Sequence, residues 1–261
     1  MAQSSGRTAK IWRDGELVDW EDANIHILSH VVHYGSAVFE GMRSYETPTG
    51  GAAFRLREHM RRLHDSCNIY ELPIKWSIDE LCAATVDTLI ANDLTECYLR
   101  PIVLRTGEQM GIYAQNEPVE TFIICWNFGK SYLPHVQPEG GANVCISTWR
   151  RAAPNTFPAM AKASGNYLNA QLAKMEAVRN GYDEAIMLDI DGHVAEGSGQ
   201  NLFIVRDGML MTSPVAAGIL HGITRDSVNR IAADFGIPVK EMVIPREMLY
   251  LADEAFFCGT A

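Results

Sequence analysis

The sequence predicts an α+β protein in two parts, and three observations carry that prediction. The first is size and composition. The chain has 261 residues, 47% hydrophobic and 21% charged. That is the balance of a folded globular protein, long enough for one large domain or two modest ones with cores that need no disulfide or metal. The second is order. Segments with strand and helix periodicity are mixed along the chain without regular βαβ alternation, which argues against a doubly wound sheet. The third is a loop-forming run at 127–141, with Gly129, Pro134, Pro138, Gly140 and Gly141. It is the best interdomain loop, separating an N-terminal domain, 1–126, from a C-terminal one, 142–261.

The elements follow in order. In KIWRDGELV, residues 10–18, Asp14-Gly15 sits between apolar residues and signals a hairpin, because Gly accepts the positive φ of a type I′ turn. YGSAVFEGMRSY, residues 34–45, reads as one extended strand with Phe39, Gly41, Arg43 and Tyr45 on one face. A turn, ETPTGG, leads to a second strand, AAFRL. Leu56, Met60, Leu63 and Cys67 recur at helical spacing among charged residues, an amphipathic helix. Ser77 and Glu80 form a capping box that opens the next helix. CYLRPIVL, 97–104, and ETFIICW, 120–126, read as strands, and Pro101 implies an edge or a bulge. The second half offers a strand at NVCISTW, a helix over 166–180 and a strand over 184–190. A hairpin turning at Asp207-Gly208 follows, then a helix over 223–235, a strand over 238–244, a short helix over 246–251 and a last strand, EAFFCG.

Charge and cysteine usage remove several functions. Twenty-two basic against thirty-two acidic residues leave a net charge of -10, which argues against nonspecific nucleic-acid binding. Cys67, Cys82, Cys97, Cys125, Cys145 and Cys258 form no CxxC pair, so they read as reduced, buried thiols of a cytoplasmic protein. MAQSSGRTAK lacks the apolar core of a signal peptide, and no stretch approaches the roughly 18 apolar residues of a membrane span. Gly129-Lys130-Ser131 has Ile124 where a P-loop needs glycine. His26, His30 and His33 have no supporting carboxylate and read as structural, so no metal site is expected.

Two residues stand out. Lys162 lies in MAKASG, a run of small neighbours that leaves room for something bulky at the amine. A buried amine loses its proton more readily and becomes a nucleophile able to form a Schiff base. Glu196 opens EGSGQNLF, where two glycines beside a carboxylate permit close approach of backbone to a ligand. Each taken singly has an ordinary explanation, an exposed lysine and a β-turn.

Together the blocks say more. RAAPNTFPAMAKASGNYL, EGSGQNLF, GITRDSV and LADEAFFCGTA, in this order, resemble the fold-type IV pyridoxal-phosphate enzymes, and within them the branched-chain amino acid aminotransferases. HYGSAVFEGMRSY and FRLREHMRRLHDS agree, so the resemblance runs from about Ile11 to Ala261. It implies a small N-terminal domain and a large cofactor-binding C-terminal one, with active sites between them near a dimer interface. The chain is then expected to form a homodimer or larger homo-oligomer. The resemblance implies pyridoxal phosphate held by Lys162 as an internal aldimine, with Lys162 also shuttling the proton at the substrate Cα. Glu196 is then the partner of the pyridine nitrogen, and Tyr167 hydrogen-bonds the ring oxygen. Arg62, Ile223, Thr224 and Thr260 are implied for the phosphate, which suits a guanidinium and a helix N-terminus.

For the substrate, the resemblance implies that Tyr98 and Arg100 handle carboxylates, Arg100 taking the second one of glutamate or 2-oxoglutarate. Phe39 and Tyr34 wall the side-chain pocket, Tyr132 closes over it, and Ala261 lies in the turn that meets the substrate carboxylate. The implied reaction moves the amino group of leucine, isoleucine or valine to 2-oxoglutarate by a ping-pong route through pyridoxamine phosphate. The family continues for some tens of residues beyond the block that ends here at Ala261, so the large domain is expected to be truncated. Two alternatives stay open: a D-amino acid or amine aminotransferase or aminodeoxychorismate lyase of the same fold, and an inactive cofactor-binding scaffold.

Overall fold

The computed structural model describes residues 7–127 and 140–260, which belong to two compact units. One comprises 7–127 with Ala161–Gly165, and the other 140–160 with 166–260. The segment around Lys162 thus packs with the first unit. In chain order the first unit contains β1 (Lys10–Arg13), β2 (Glu16–Asp19), α1 (His30–Tyr34), β3 (Ala37–Phe39), β4 (Met42–Thr47) and β5 (Gly50–Ala53). It continues with α2 (Leu56–Ile69), α3 (Ile78–Ala91), β6 (Cys97–Arg105) and β7 (Val119–Trp126).

These seven strands form one antiparallel sheet in the order β2-β1-β7-β6-β4-β5, with β3 also paired to β6. The first hairpin has the expected turn, with Asp14 and Gly15 both at positive φ, 50° and 112°. The strand expected over 34–45 is corrected. Tyr34 closes α1, and the rest divides into β3 and β4. Both lie along β6 in one register, Phe39 opposite Ile102 and Met42 opposite Leu99. Glu40 and Gly41 interrupt them where Pro101, which has no N–H to give, stands opposite; Glu40 instead donates to the Pro101 carbonyl at 2.8 Å. The strand expected at AAFRL lies earlier, at β5, and Arg55 turns the chain into α2 at φ 51°. The capping box at Ser77 and Glu80 is formed in both directions.

Period two then sorts the sheet. Val38, Met42, Leu99, Val103, Ile123 and Cys125 are buried on one face with Met60, Leu63 and Cys67 of α2 and Leu81 and Ala84 of α3. Residues one step out of phase, Phe39, Tyr98, Arg100 and Trp126, share the other face. One core of apolar side chains therefore fixes the register of the strands of this sheet that carry candidate residues.

The second unit contains β8 (Val144–Ile146), α4 (Tyr167–Arg179), β9 (Glu184–Leu188), β10 (Val194–Gly197), β11 (Asn201–Arg206), β12 (Met209–Thr212), α5 (Ile223–Asp234), β13 (Val239–Glu241) and β14 (Glu254–Cys258). Two sheets result, β10-β9-β8 and β13-β12-β11-β14, with parallel pairing only at β8–β9 and β12–β13 among the described strands. Ile186, Leu188, Val194, Leu202, Ile204, Met211 and Ile244 form its main core. α4 lays Ala173 and Ala177 on Ala185 and Met187, where small side chains let helix and strand approach closely. The strands expected over 143–149, 184–190 and 238–244 are shorter than their apolar runs, and Arg246–Tyr250 is a 3-10 turn. No described helix is long and apolar enough to cross a membrane.

Candidate active site

In the first unit, Lys162 is held by its backbone. Its N–H donates to Ser66 Oγ at 3.0 Å, and its carbonyl accepts from the Phe39 N–H at 2.9 Å. Ala163 bridges to Val38, so the segment extends the edge at β3. Alternation then places Ala161 and Ala163, each 2% exposed, in the core beneath the sheet. Lys162 projects the other way, and its Nζ stands 5.3 Å from the Phe39 ring centroid. The small neighbours are thus small because they are buried against the core. This differs from the sequence reading, which took them as room around the amine. Lys162 itself is half-buried.

The same Phe39 ring has the Arg100 guanidinium over it at 4.5 Å. Arg100 also lies over Tyr98 and Trp126, at 5.3 and 5.8 Å, and donates from Nη2 to the Tyr98 hydroxyl at 3.1 Å. Its Nε is buried without a hydrogen-bond partner. Three aromatic faces hold the cation by its planes, which offsets part of its desolvation and fixes its direction. Trp126 was missed in the sequence. It pairs with Tyr98 across β6 and β7 and so shares its face, a pairing that only the fold reveals.

Gly41 makes this arrangement possible. A Cβ there would meet the Tyr98 hydroxyl at 2.0 Å. Gly41→Ala is expected to displace the Tyr98 ring and with it Arg100, costing about 1–3 kcal/mol in stability. Thermal melts check this, and a variant that melts with wild type would refute the close approach.

Arg62, on α2, donates from Nε and Nη2 to the two oxygens of Glu40 at 2.6 and 2.8 Å. His59 Nδ1 lies 2.7 Å from Glu40 Oε2. Glu40 has no exposed surface. Burial pushes its carboxyl up, but the Arg62 charge and the hydrogen bonds from Arg62 and His59 outweigh that and hold it at about 2. Neither Glu40 nor His59 was singled out from the sequence.

In the second unit, Glu196 lies on β10, a strand the sequence reading did not foresee. Its carboxylate is ion-paired to Arg151, Nη2 to Oε1 at 3.1 Å, with side chains 10% and 8% exposed. Asn201 Nδ2 donates to Oε2 at 2.9 Å, and the Leu220 amide reaches both oxygens at 3.4 and 3.3 Å. Arg151 is itself tied to the Gly218 carbonyl at 3.2 Å. The ion pair and these hydrogen bonds fix the carboxylate in orientation. Arg151 and Asn201 were missed as its partners; Arg151 is 45 residues distant in sequence, and only the fold joins them.

Ile223 and Thr224 are the first two residues of α5, after the cap Gly222, where a helix cannot satisfy its own amides. Tyr167 opens α4 directly after the 3-10 turn Ser164–Asn166. Thr260 follows β14. Tyr34 closes α1; its ring packs on His30 at 4.5 Å and the residue is 43% exposed. Tyr132 and Ala261 lie outside the described residues. His30 uses its ring nitrogens on Ser36 Oγ and the Gly111 carbonyl. The one grouping of potential metal ligands among the described residues is Asp189, Asp191 and His193, and Asp189 Oδ1 already accepts the Asp191 and His193 amides.

The first unit thus carries an amine, Arg100 and the Glu40-paired Arg62, and the second a carboxylate paired to Arg151 and a helix N-terminus. Residues 37–261 match the family described as amino-transferase class IV. The chain is 48% identical over 255 residues to a branched-chain-amino-acid aminotransferase of Escherichia coli strain K12, a match covering 96% of this chain and 81% of that protein. It is similar in structure to the branched-chain aminotransferase of Thermoproteus uzoniensis with norvaline, at 45% identity and TM-score 0.93, covering 98% of this chain and 84% of that one. It is also similar to a second solved branched-chain amino acid aminotransferase, complexed with N-(5'-phosphopyridoxyl)-L-glutamate, at 42% identity and TM-score 0.92, covering 98% and 83%. The chain belongs to the class IV amino-transferase family, and within it groups with the branched-chain-amino-acid aminotransferases.

Proposed function

We propose that the protein transfers the amino group of leucine, isoleucine or valine to 2-oxoglutarate by a ping-pong route, with pyridoxal phosphate as cofactor. The observation that carries this reading is the Phe39 ring, which has the Lys162 amine at 5.3 Å and the Arg100 guanidinium at 4.5 Å. An amine and a directed cation on one apolar surface suit an amino acid whose side chain is apolar in one half-reaction and carboxylated in the other.

The donor set fits the cofactor. Lys162 matches an aldehyde, the Arg151-paired Glu196 a protonated ring nitrogen, and Arg62, Ile223, Thr224 and Thr260 a phosphate. When bound, pyridoxal phosphate supplies an electron sink for charge developing at the substrate Cα. Lys162 is assigned to hold the aldehyde carbon and to carry the proton to and from that Cα. Glu196 keeps the ring nitrogen protonated, and Tyr167 donates to the ring oxygen. Arg100 pairs with the second carboxylate of glutamate or 2-oxoglutarate, and Tyr98 directs it. Phe39, Tyr34 and Trp126 are assigned to the wall around the apolar side chain. Such a wall separates substrates by only about 1–3 kcal/mol per methylene, so several branched chains are accepted. The relatives captured with norvaline and with a phosphopyridoxyl glutamate support both halves of the reading. It also carries a cytoplasmic setting and a homo-oligomer.

The test is a visible spectrum of the protein with added pyridoxal phosphate, followed by L-leucine or D-alanine. A Schiff-base band that bleaches with L-leucine and not with D-alanine is expected. Bleaching by D-alanine alone, with none by L-leucine, L-isoleucine or L-valine, would overturn the substrate class.

A further inference from the structure

We propose that Glu40 is a positioning residue for cofactor binding, which fixes the rotamer and plane of the Arg62 guanidinium so that the arginine meets the cofactor phosphate already oriented. The proposal rests on the reading of Arg62 as a phosphate ligand.

The geometry is a two-pronged pairing. Arg62 Nε meets Glu40 Oε1 at 2.6 Å and Nη2 meets Oε2 at 2.8 Å. Two parallel bonds define the guanidinium plane as a single bond cannot. Glu40 is immobilised in turn. It is fully buried, its N–H donates to the Pro101 carbonyl at 2.8 Å, and Oε2 also meets His59 Nδ1 at 2.7 Å.

The pairing belongs to a larger frame. His59, Arg62 and Ser66 are spaced three and four residues apart, so they share one face of α2. Ser66 Oγ accepts from the Lys162 amide at 3.0 Å, while Phe39, next to Glu40, holds the Lys162 carbonyl at 2.9 Å. One helix face and one strand end thus hold the arginine side chain and the lysine backbone in a common frame. An arginine loses rotamer freedom when it binds an anion, and here that loss is met on folding instead of on binding.

The test compares pyridoxal phosphate with pyridoxal, which lacks the phosphate, by absorbance titration of wild type, Glu40→Gln, Arg62→Lys and the double variant. Glu40→Gln keeps the shape of the side chain but removes its charge. We expect it to lower the preference for the phosphorylated form by at least about tenfold, with pyridoxal affinity changed by less than about threefold. In the double variant the preference should fall no further than in Arg62→Lys alone, because both act on one contact. A general loosening of the fold would weaken both ligands equally, and that result overturns the proposal. So does a Glu40→Gln variant with the wild-type preference while Arg62→Lys loses it. Should Arg62→Lys itself keep the wild-type preference, the phosphate reading of Arg62 falls and this proposal with it. If Glu40→Gln fails to fold, Glu40→Asp, which keeps the charge but shortens the reach, carries the same comparison.

Discussion

Lys162→Ala is expected to abolish transamination while leaving the fold intact. The chemistry assigned to this residue is double: it holds the cofactor aldehyde and moves the proton at the substrate Cα. Loss of a positioned acid–base group alone costs about 10²–10⁴ in rate, and the covalent attachment is lost as well. The fold, by contrast, uses the backbone of Lys162. The bonds from its N–H to Ser66 and from Phe39 to its carbonyl survive truncation to Ala, and the core neighbours are Ala161 and Ala163. The side chain is half-buried, so stability should change by no more than about 1 kcal/mol. Initial rates with L-leucine and 2-oxoglutarate, beside a thermal melt, check both parts. A variant that retains more than about a tenth of the wild-type rate removes Lys162 from the chemistry. One that melts far below wild type would show that the loss of rate came from unfolding.

Much of the fold was legible because the relevant physics is local. Asp14-Gly15 and Asp207-Gly208 announce their turns by the positive φ they must adopt, and both residues of each pair do adopt it. Ser77 and Glu80 bond to each other within one helical turn. Tyr98 and Arg100 share a face because a strand has period two. What was hidden depends on pairing between distant segments. The break between β3 and β4 lies opposite Pro101, on a strand some 60 residues away, and Gly41 is its one local mark. β10 is short and flanked by glycines, so its four residues read as turn; pairing with β9 makes them a strand.

The candidate site divides the same way. Lys162 and Glu196 were visible as unusual residues among small neighbours, but the sequence assigned the small neighbours to the wrong purpose. Ala161 and Ala163 are small to fit beneath the sheet, and the chemistry depends on the alternation that turns Lys162 away from them. The partners that hold the functional groups, Glu40 for Arg62 and Arg151 for Glu196, carry no sequence signature, because each pair forms only when its unit has folded.

On the acid side, a strong pH effect on stability is expected from Glu40. Its carboxyl is held at about 2 in the folded state against an ordinary value of 4.5. Above pH 4.5 the group is ionised whether the chain is folded or not, and the pairing contributes in full. As pH falls from there, the unfolded chain takes up a proton that the folded chain refuses, so stability drops, and the contribution is gone below about pH 2. The difference between the two values corresponds to about 3 kcal/mol, an order-of-magnitude figure for a fully buried group. Asp79, Glu80 and Glu176 are also held below the ordinary carboxylate value by their hydrogen bonds, so their contributions also fall with acid. Subtracting the behaviour of Glu40→Gln removes them, since they are common to both proteins. Urea unfolding of wild type and Glu40→Gln, at equal cofactor saturation, should therefore give curves that converge with acid. Between pH 4.5 and 3.5 wild type should lose about 1 kcal/mol more than the variant. Parallel curves would mean that Glu40 takes up its proton at the same pH folded and unfolded. That is incompatible with a buried carboxylate bonded to both Arg62 and His59, and the pairing that orients Arg62 would have to be abandoned with it.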